Sequence, residues 1–181
     1  MKQYVALLRG INVGGHNKVK MAQLKLLCES IGFAVVSTYI QTGNVLFRSS
    51  DTSAVLQQQL EQALLAEFDF VVSVSIRTLE ALELVQANLA FKDIDLLQDS
   101  SKLMVSFLSD IAPGNAQELL QPYLHSSERL QLSGTELYLH CPNGYGKTKL
   151  TNNLIEKKLG LNATTRNWKT LLKVCQLSSQ I

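Results

Sequence analysis

Four short stretches of this chain gather basic or amide side chains, three of them beside glycine, a combination in which backbone and cation together can hold an anion. The most suggestive is PNGYGKTK at 142–149. A Walker loop needs a glycine, four residues and then Gly-Lys-Ser/Thr, so that successive N–H groups wrap the phosphates. Counting back from Gly146, the first glycine would fall at Cys141, so the spacing fails. A dinucleotide fingerprint fails too, because the third glycine of GxGxxG falls on Lys149. What survives is a general anion site. A strand ending near Cys141, flexible Gly144 and Gly146, and a helix starting at about Thr148 would present free N–H groups beside Lys147 and Lys149.

The second stretch is LLRGINVGGHNKVK, where Arg9 follows an apolar strand and Asn12, His16 and Lys18 ride on a glycine-containing loop. Loops leaving strands commonly carry binding groups, and no packing need calls for Arg, Asn and His together here. In the third, TYIQTGN, Gln41 and Asn44 flank a tight turn and offer amides to a ligand's polar edge, although Asn beside Gly is also ordinary turn chemistry. The fourth, TTRNWKT, joins the planar cation of Arg166 to the ring of Trp168, a pair suited to a nucleotide or a single strand.

Nucleophilic catalysis is poorly served. His140 and Cys141 are neighbours on a strand, so their side chains point to opposite faces and cannot pair. His125 reads as a solvated residue at a helix end. Asp93, Asp95 and Asp99 lack the glycine and terminal glutamate of a calcium loop. The three cysteines are widely spaced without a CxxC pair, which predicts buried thiols in a reducing, cytoplasmic setting and no metal. No apolar run approaches a membrane span. No cofactor is indicated.

Charge is unevenly spread. Residues 1–25 carry five Lys or Arg and no acid, and residues 145–174 carry seven against Glu156 alone, which leaves the rest of this +2 chain acidic. Two basic ends meeting on one face would favour phosphate or nucleic acid there; two solvated helix faces pointing apart would not. With 46% hydrophobic residues among 181, the chain can bury one large core or two small ones.

The elements that must position these residues follow from apolar period. QYVALL is a strand, Met21, Leu24, Leu27, Cys28 and Ile31 mark one helix face closed by Gly32, and AVVSTYI and NVLF pair across a hairpin at Thr42-Gly43. Leu56, Leu60 and Leu64 form a second helix face, and VVSVSI at 71–76 a fourth strand. The order βαββαβ is ferredoxin-like. After a helix near 78–88 and a loop-like FKDIDLLQDS, the pattern gives a strand at 102–108, a helix opened by Asn115 with Glu118 as a capping-box pair, a hairpin turning at Ser133-Gly134, and helices at 148–159 and 167–176. The expectation is an α+β fold in two parts: a ferredoxin-like domain over 1–77, then a related βαββα half over 78–181 that ends in extra helix.

At LLRGINVGG, TYIQTGN and RNW the chain resembles a bacterial family catalogued as domain of unknown function 1697, and the likeness runs from the first strand to the last helix. The resemblance implies an intracellular α+β protein with a ferredoxin-like first half; it brings no catalytic residue with it. The leading functional reading is a protein that binds, or acts on, a phosphate-bearing small molecule. Arg9, Lys18, Lys147, Lys149 and Arg166 would supply charge and Asn12, Gln41 and Asn44 the polar readout. Two alternatives stay open. One is a nucleic-acid module, although NVLFRSS lacks the aromatic series of RNA-binding sheets. The other is a homo-oligomeric interaction protein without a ligand.

Overall fold

The computed structural model describes residues 1–89 and 91–181. It divides into two units, Met1–Leu84 with Lys173–Ile181, and Val85–Leu172.

The first unit runs β1 (Lys2–Leu8), α1 (Met21–Ser30), β2 (Ala34–Tyr39), β3 (Asn44–Ser49), α2 (Ser53–Phe68) and β4 (Val74–Thr78). Its antiparallel sheet has the order β2-β3-β1-β4, the ferredoxin-like arrangement. Alternation along the strands explains the core. Tyr4, Ala6 and Leu8 of β1 turn to one face with Val45 and Phe47 of β3, where they meet Leu24 and Cys28 of α1 and Leu56, Leu60 and Leu64 of α2. The spacing of four along each helix is what aligns those side chains on one side. Phe33 stacks on Phe47 with centroids 4.0 Å apart. The opposite face carries Val5, Leu7 and Leu46, also buried. The last residues of the unit reach this sheet at Gln3 and Arg48: Gln3 Nε2 donates to the carbonyls of Ser178 (2.8 Å) and Ile181 (2.7 Å), and the Arg48 guanidinium donates to Ile181 as well.

Helix α3 (Leu79–Ala87) begins in the first unit and ends in the second. The second unit continues with α4 (Leu96–Asp99), β5 (Leu103–Leu108), α5 (Ala116–Leu120), β6 (Arg129–Ser133), β7 (Glu136–His140), α6 (Asn152–Leu159) and β8 (Ala163–Asn167). Helix α7 (Trp168–Ser178) then leads back into the first unit. The second sheet has the order β6-β7-β5-β8 and is antiparallel throughout. Met104, Leu108, Leu137 and Leu139 pack on Leu120 of α5 and on Ile155 and Leu159 of α6. On the other face the Tyr138 hydroxyl donates to the Val85 carbonyl at 3.0 Å, and burial raises that phenol to about 12.

Three local expectations are corrected. The second half is a full βαββαβ, because Ala163–Asn167 is a strand, pairing Met104 with Asn167 through Leu108 with Ala163. Its sequence ATTRN has no apolar alternation, so it reads as loop. The helix expected from about 148 starts at Asn152, where the Thr151 hydroxyl caps it by accepting from the Leu154 N–H at 3.3 Å. Asn115 precedes α5 but makes no side-chain cap bond, so the capping box with Glu118 does not form. Gly160 does close α6, with φ of 68°.

Candidate functional site

The glycine loop that leaves β7 closes partly on its own backbone. Gly144 N–H donates to Cys141 O (2.9 Å), Lys147 N–H to Gly144 O (3.1 Å) and Thr148 N–H to Tyr145 O (3.2 Å), with Tyr145–Lys147 forming a turn of 3-10 helix. Because α6 starts four residues later than expected, no helix N-terminus opens beside the lysines. Thr148 is buried, and its hydroxyl accepts from the Leu150 N–H at 3.2 Å. Side chains are the groups that project from this loop towards an anion.

The side chains for this are present. Lys147 and Lys149 are exposed and line a cavity of about 330 Å³ together with Tyr123, Leu124, His125 and Ser126. The second segment follows a 3-10 turn at Gln121–Tyr123 and is itself pinned: His125 N–H donates to Glu128 Oε2 at 2.9 Å, and His125 Nδ1 lies 3.1 Å from Ser127 Oγ. Asn143 of the glycine loop donates to the same Ser127 Oγ at 3.1 Å, which ties the two walls together. The Lys158 ammonium sits 4.9 Å above the Tyr123 ring, adding a third cation nearby. Tyr123 and Ser126 escaped sequence reasoning, and His125 was read there only as a solvated helix-end residue, since they stand more than twenty residues before the lysines and only the hairpin between brings them alongside.

In the first unit, the stretches at 9–18 and 41–44 come together at one end of the sheet, because β3 begins where β1 ends, Leu7 opposite Asn44. Asn12 organises this junction. Its Nδ2 donates to the carbonyls of Val19 and Gln41, both at 2.9 Å, and its Oδ1 accepts from the Val19 N–H at 2.9 Å. Asn44 is fully buried and donates to Tyr39 O (2.9 Å) and Thr42 Oγ1 (3.2 Å). Both amides thus serve the chain itself. Arg9 is half-buried, with its N–H bonded to Ser73 O at 2.9 Å. His16, Lys18 and Gln41 are exposed around them. Gly43 has a φ of 80°, and a Cβ on it would lie 2.7 Å from Ile11 Cδ1 and 2.8 Å from Leu8 Cβ, so only glycine fits.

Arg166 and Trp168 lie inside the second unit's structure. Arg166 on β8 is 9% exposed, donates to Thr165 O at 3.0 Å, and burial alone lowers its guanidinium to about 10, which leaves it charged at neutral pH. Trp168 is 2% exposed. His140 is buried on the sheet face opposite Cys141, as strand alternation requires; its Nε2 is 3.7 Å from Asp99 Oδ2 and neither ring nitrogen has a hydrogen-bond partner among the described residues. Burial lowers its pKa, with the nearby Arg129 adding to the effect. Asp99 is held low chiefly by its bond to Lys102, 2.8 Å away. All three cysteines are free and buried, and burial raises Cys28 and Cys141 to about 12. Among the described residues no group of three or more His, Cys, Asp or Glu is arranged to hold a metal ion.

Among solved structures, a conserved bacterial protein from Streptococcus pneumoniae matches with a TM-score of 0.73 and 30% identity, covering 98% of each chain. No curated protein matches the chain. The family model described as protein of unknown function (DUF1697) matches residues 1–138, which span the whole first sheet and β5 through most of β7 of the second. With that match over more than half its length, this chain belongs to the DUF1697 family.

Proposed function

We propose that the protein binds a phosphate-bearing small molecule in the second unit's cavity, between the glycine loop and the segment at 123–126. The observation that carries this is the pair of exposed lysines, Lys147 and Lys149, on a cavity of about 330 Å³, within the size range of small-molecule sites. Two ammonium groups with rotatable donors suit a phosphate, and Ser126 and His125 supply directional bonds beside them. Inert, buried thiols fit a cytoplasmic setting for this role, and no helix among the described residues is long and apolar enough to cross a membrane.

A thermal-shift series at low salt tests this. A phosphate ligand at about 100 times its dissociation constant stabilises by about 2.7 kcal/mol, or roughly 5–10 °C at this size. The shift should vanish in the double variant Lys147→Ala, Lys149→Ala, whose ligand-free melting should match wild type because both positions are exposed. No shift with any phosphate compound would refute the proposal. A shift seen only with oligonucleotides, and collapsing steeply with salt, would point to the nucleic-acid alternative instead.

A further inference from the structure

The lining of the cavity narrows the ligand class. We infer that its ligand is a compact phosphomonoester with a hydroxylated, non-aromatic body, of sugar-phosphate size, and not a nucleotide; this rests on the phosphate reading above.

Four observations point this way. The first is room: about 330 Å³ lies near the floor of the range for small-molecule sites, which favours a compact ligand. Charge is the second. Lys147 and Lys149 bring two positive charges to the lining, which match the −1.5 to −2 that a phosphomonoester carries near pH 7. A diester, with a single charge, would leave the pair half-compensated. The third is the state of His125. Its Nδ1 is taken up by Ser127, through Oγ at 3.1 Å and the backbone N–H at 3.4 Å, so the neutral ring is left with Nε2–H as a donor. That leaves this side chain able to donate to a phosphate or hydroxyl oxygen, and Asn143 steadies the arrangement through the same serine.

The fourth observation concerns what the cavity lacks. Base recognition by stacking needs an accessible aromatic face. Tyr123 is the aromatic side chain of the lining, it is half-buried, and the Lys158 ammonium already occupies one face at 4.9 Å. What remains around the ligand body is the Ser126 hydroxyl, the phenol of Tyr123 and the edge of Leu124, a set that suits hydroxyl groups on a small saturated skeleton.

Isothermal titration at low salt with inorganic phosphate, ribose 5-phosphate, glucose 6-phosphate, AMP, NAD and decathymidylate separates the cases, run on wild type, on Lys147→Ala with Lys149→Ala, and on Ser127→Ala. The inference expects a sugar phosphate to bind at least tenfold tighter than inorganic phosphate and than AMP. The lysine variant should lose at least tenfold of that affinity. Ser127→Ala, with melting unchanged, should lose several-fold for the sugar phosphate because His125 is no longer oriented. AMP or NAD binding as tightly as the sugar phosphates would overturn the inference while leaving the phosphate reading intact. Equal affinity for inorganic phosphate and sugar phosphates would overturn it too, since the body would then contribute nothing. If nothing in the panel binds, both readings fall.

Discussion

The two units build the same βαββαβ sheet with the same strand order, yet they place their long connections at opposite ends. In the first unit the long loop is residues 9–20, leaving the end of the opening strand, while β3 passes to α2 in three residues. In the second, β7 passes to α6 through residues 141–151, beside the start of the opening strand, as the pairing of Leu103 with His140 shows. The frame tolerates elaboration at either end because its core is carried by alternate strand residues and two helix faces. The elaborations differ in kind. The loop at 9–20 is fastened by side-chain amides and by a glycine that nothing else could replace. The loop at 141–151 closes on its own backbone and turns its lysines outward.

The sharpest way to test that contrast is at the two hairpin turns, which occupy equivalent places. Gly43→Ala should destabilise the protein by roughly 3 kcal/mol, combining the left-handed strain with overlap on Ile11 and Leu8. Gly134→Ala carries the strain alone, φ 60° with the nearest atom 3.9 Å away, and should cost about 1 kcal/mol in the same chemical denaturation assay. Equal losses would show that the first hairpin is not packed as described. Next, Asn12→Ala should cost about 2 kcal/mol by stripping three hydrogen bonds, against about 1 kcal/mol for Thr148→Val, which loses the bond to Leu150.

The smallest effect is a pH dependence confined to the second unit. His140 has a folded pKa below its ordinary 6.5, so the unfolded chain takes up a proton first as pH falls. Stability should therefore decline as pH drops through about 6.5, and His140→Leu should flatten that slope. Asp99 faces this ring, Arg129 and Asp93 lie near it, and both aspartates titrate below the usual carboxylate range, so their contribution is lost only at lower pH, below about 3.8. An unchanged slope between pH 7 and 5.5 in the variant would mean that the buried imidazole is not the group responsible.

Elements with a clean apolar period were legible in the sequence. Leu56, Leu60 and Leu64 announce α2, and the alternation in QYVALL announces β1. Strand β8 was not, because Ala163 is its one apolar residue in the core, while the buried positions on its other face are the polar Thr164 and Arg166. The start of α6 was misplaced since Thr148 and Thr151 are both plausible caps, and only the folded backbone shows Thr148 bound to Leu150 instead. For the cavity, Lys147 and Lys149 were singled out from their glycine setting, whereas His125 was read as a solvated helix-end residue and Ser126 had no local pattern to mark it. Asn12 and Asn44 illustrate a different limit: an amide that reads a ligand and an amide that ties two loops look identical in sequence.

The placement of residues 173–181 on the first sheet has a consequence for how the protein is made. The strands of that sheet leave the ribosome first, but Gln3 and Arg48 have to wait until the whole second unit has been synthesised before their partners Ser178 and Ile181 arrive. During that interval the first unit is incomplete, the situation in which nascent chains engage chaperones. Completion of the first unit is thereby tied to synthesis of the second: a chain stalled anywhere in 85–172 lacks the residues that finish the first unit.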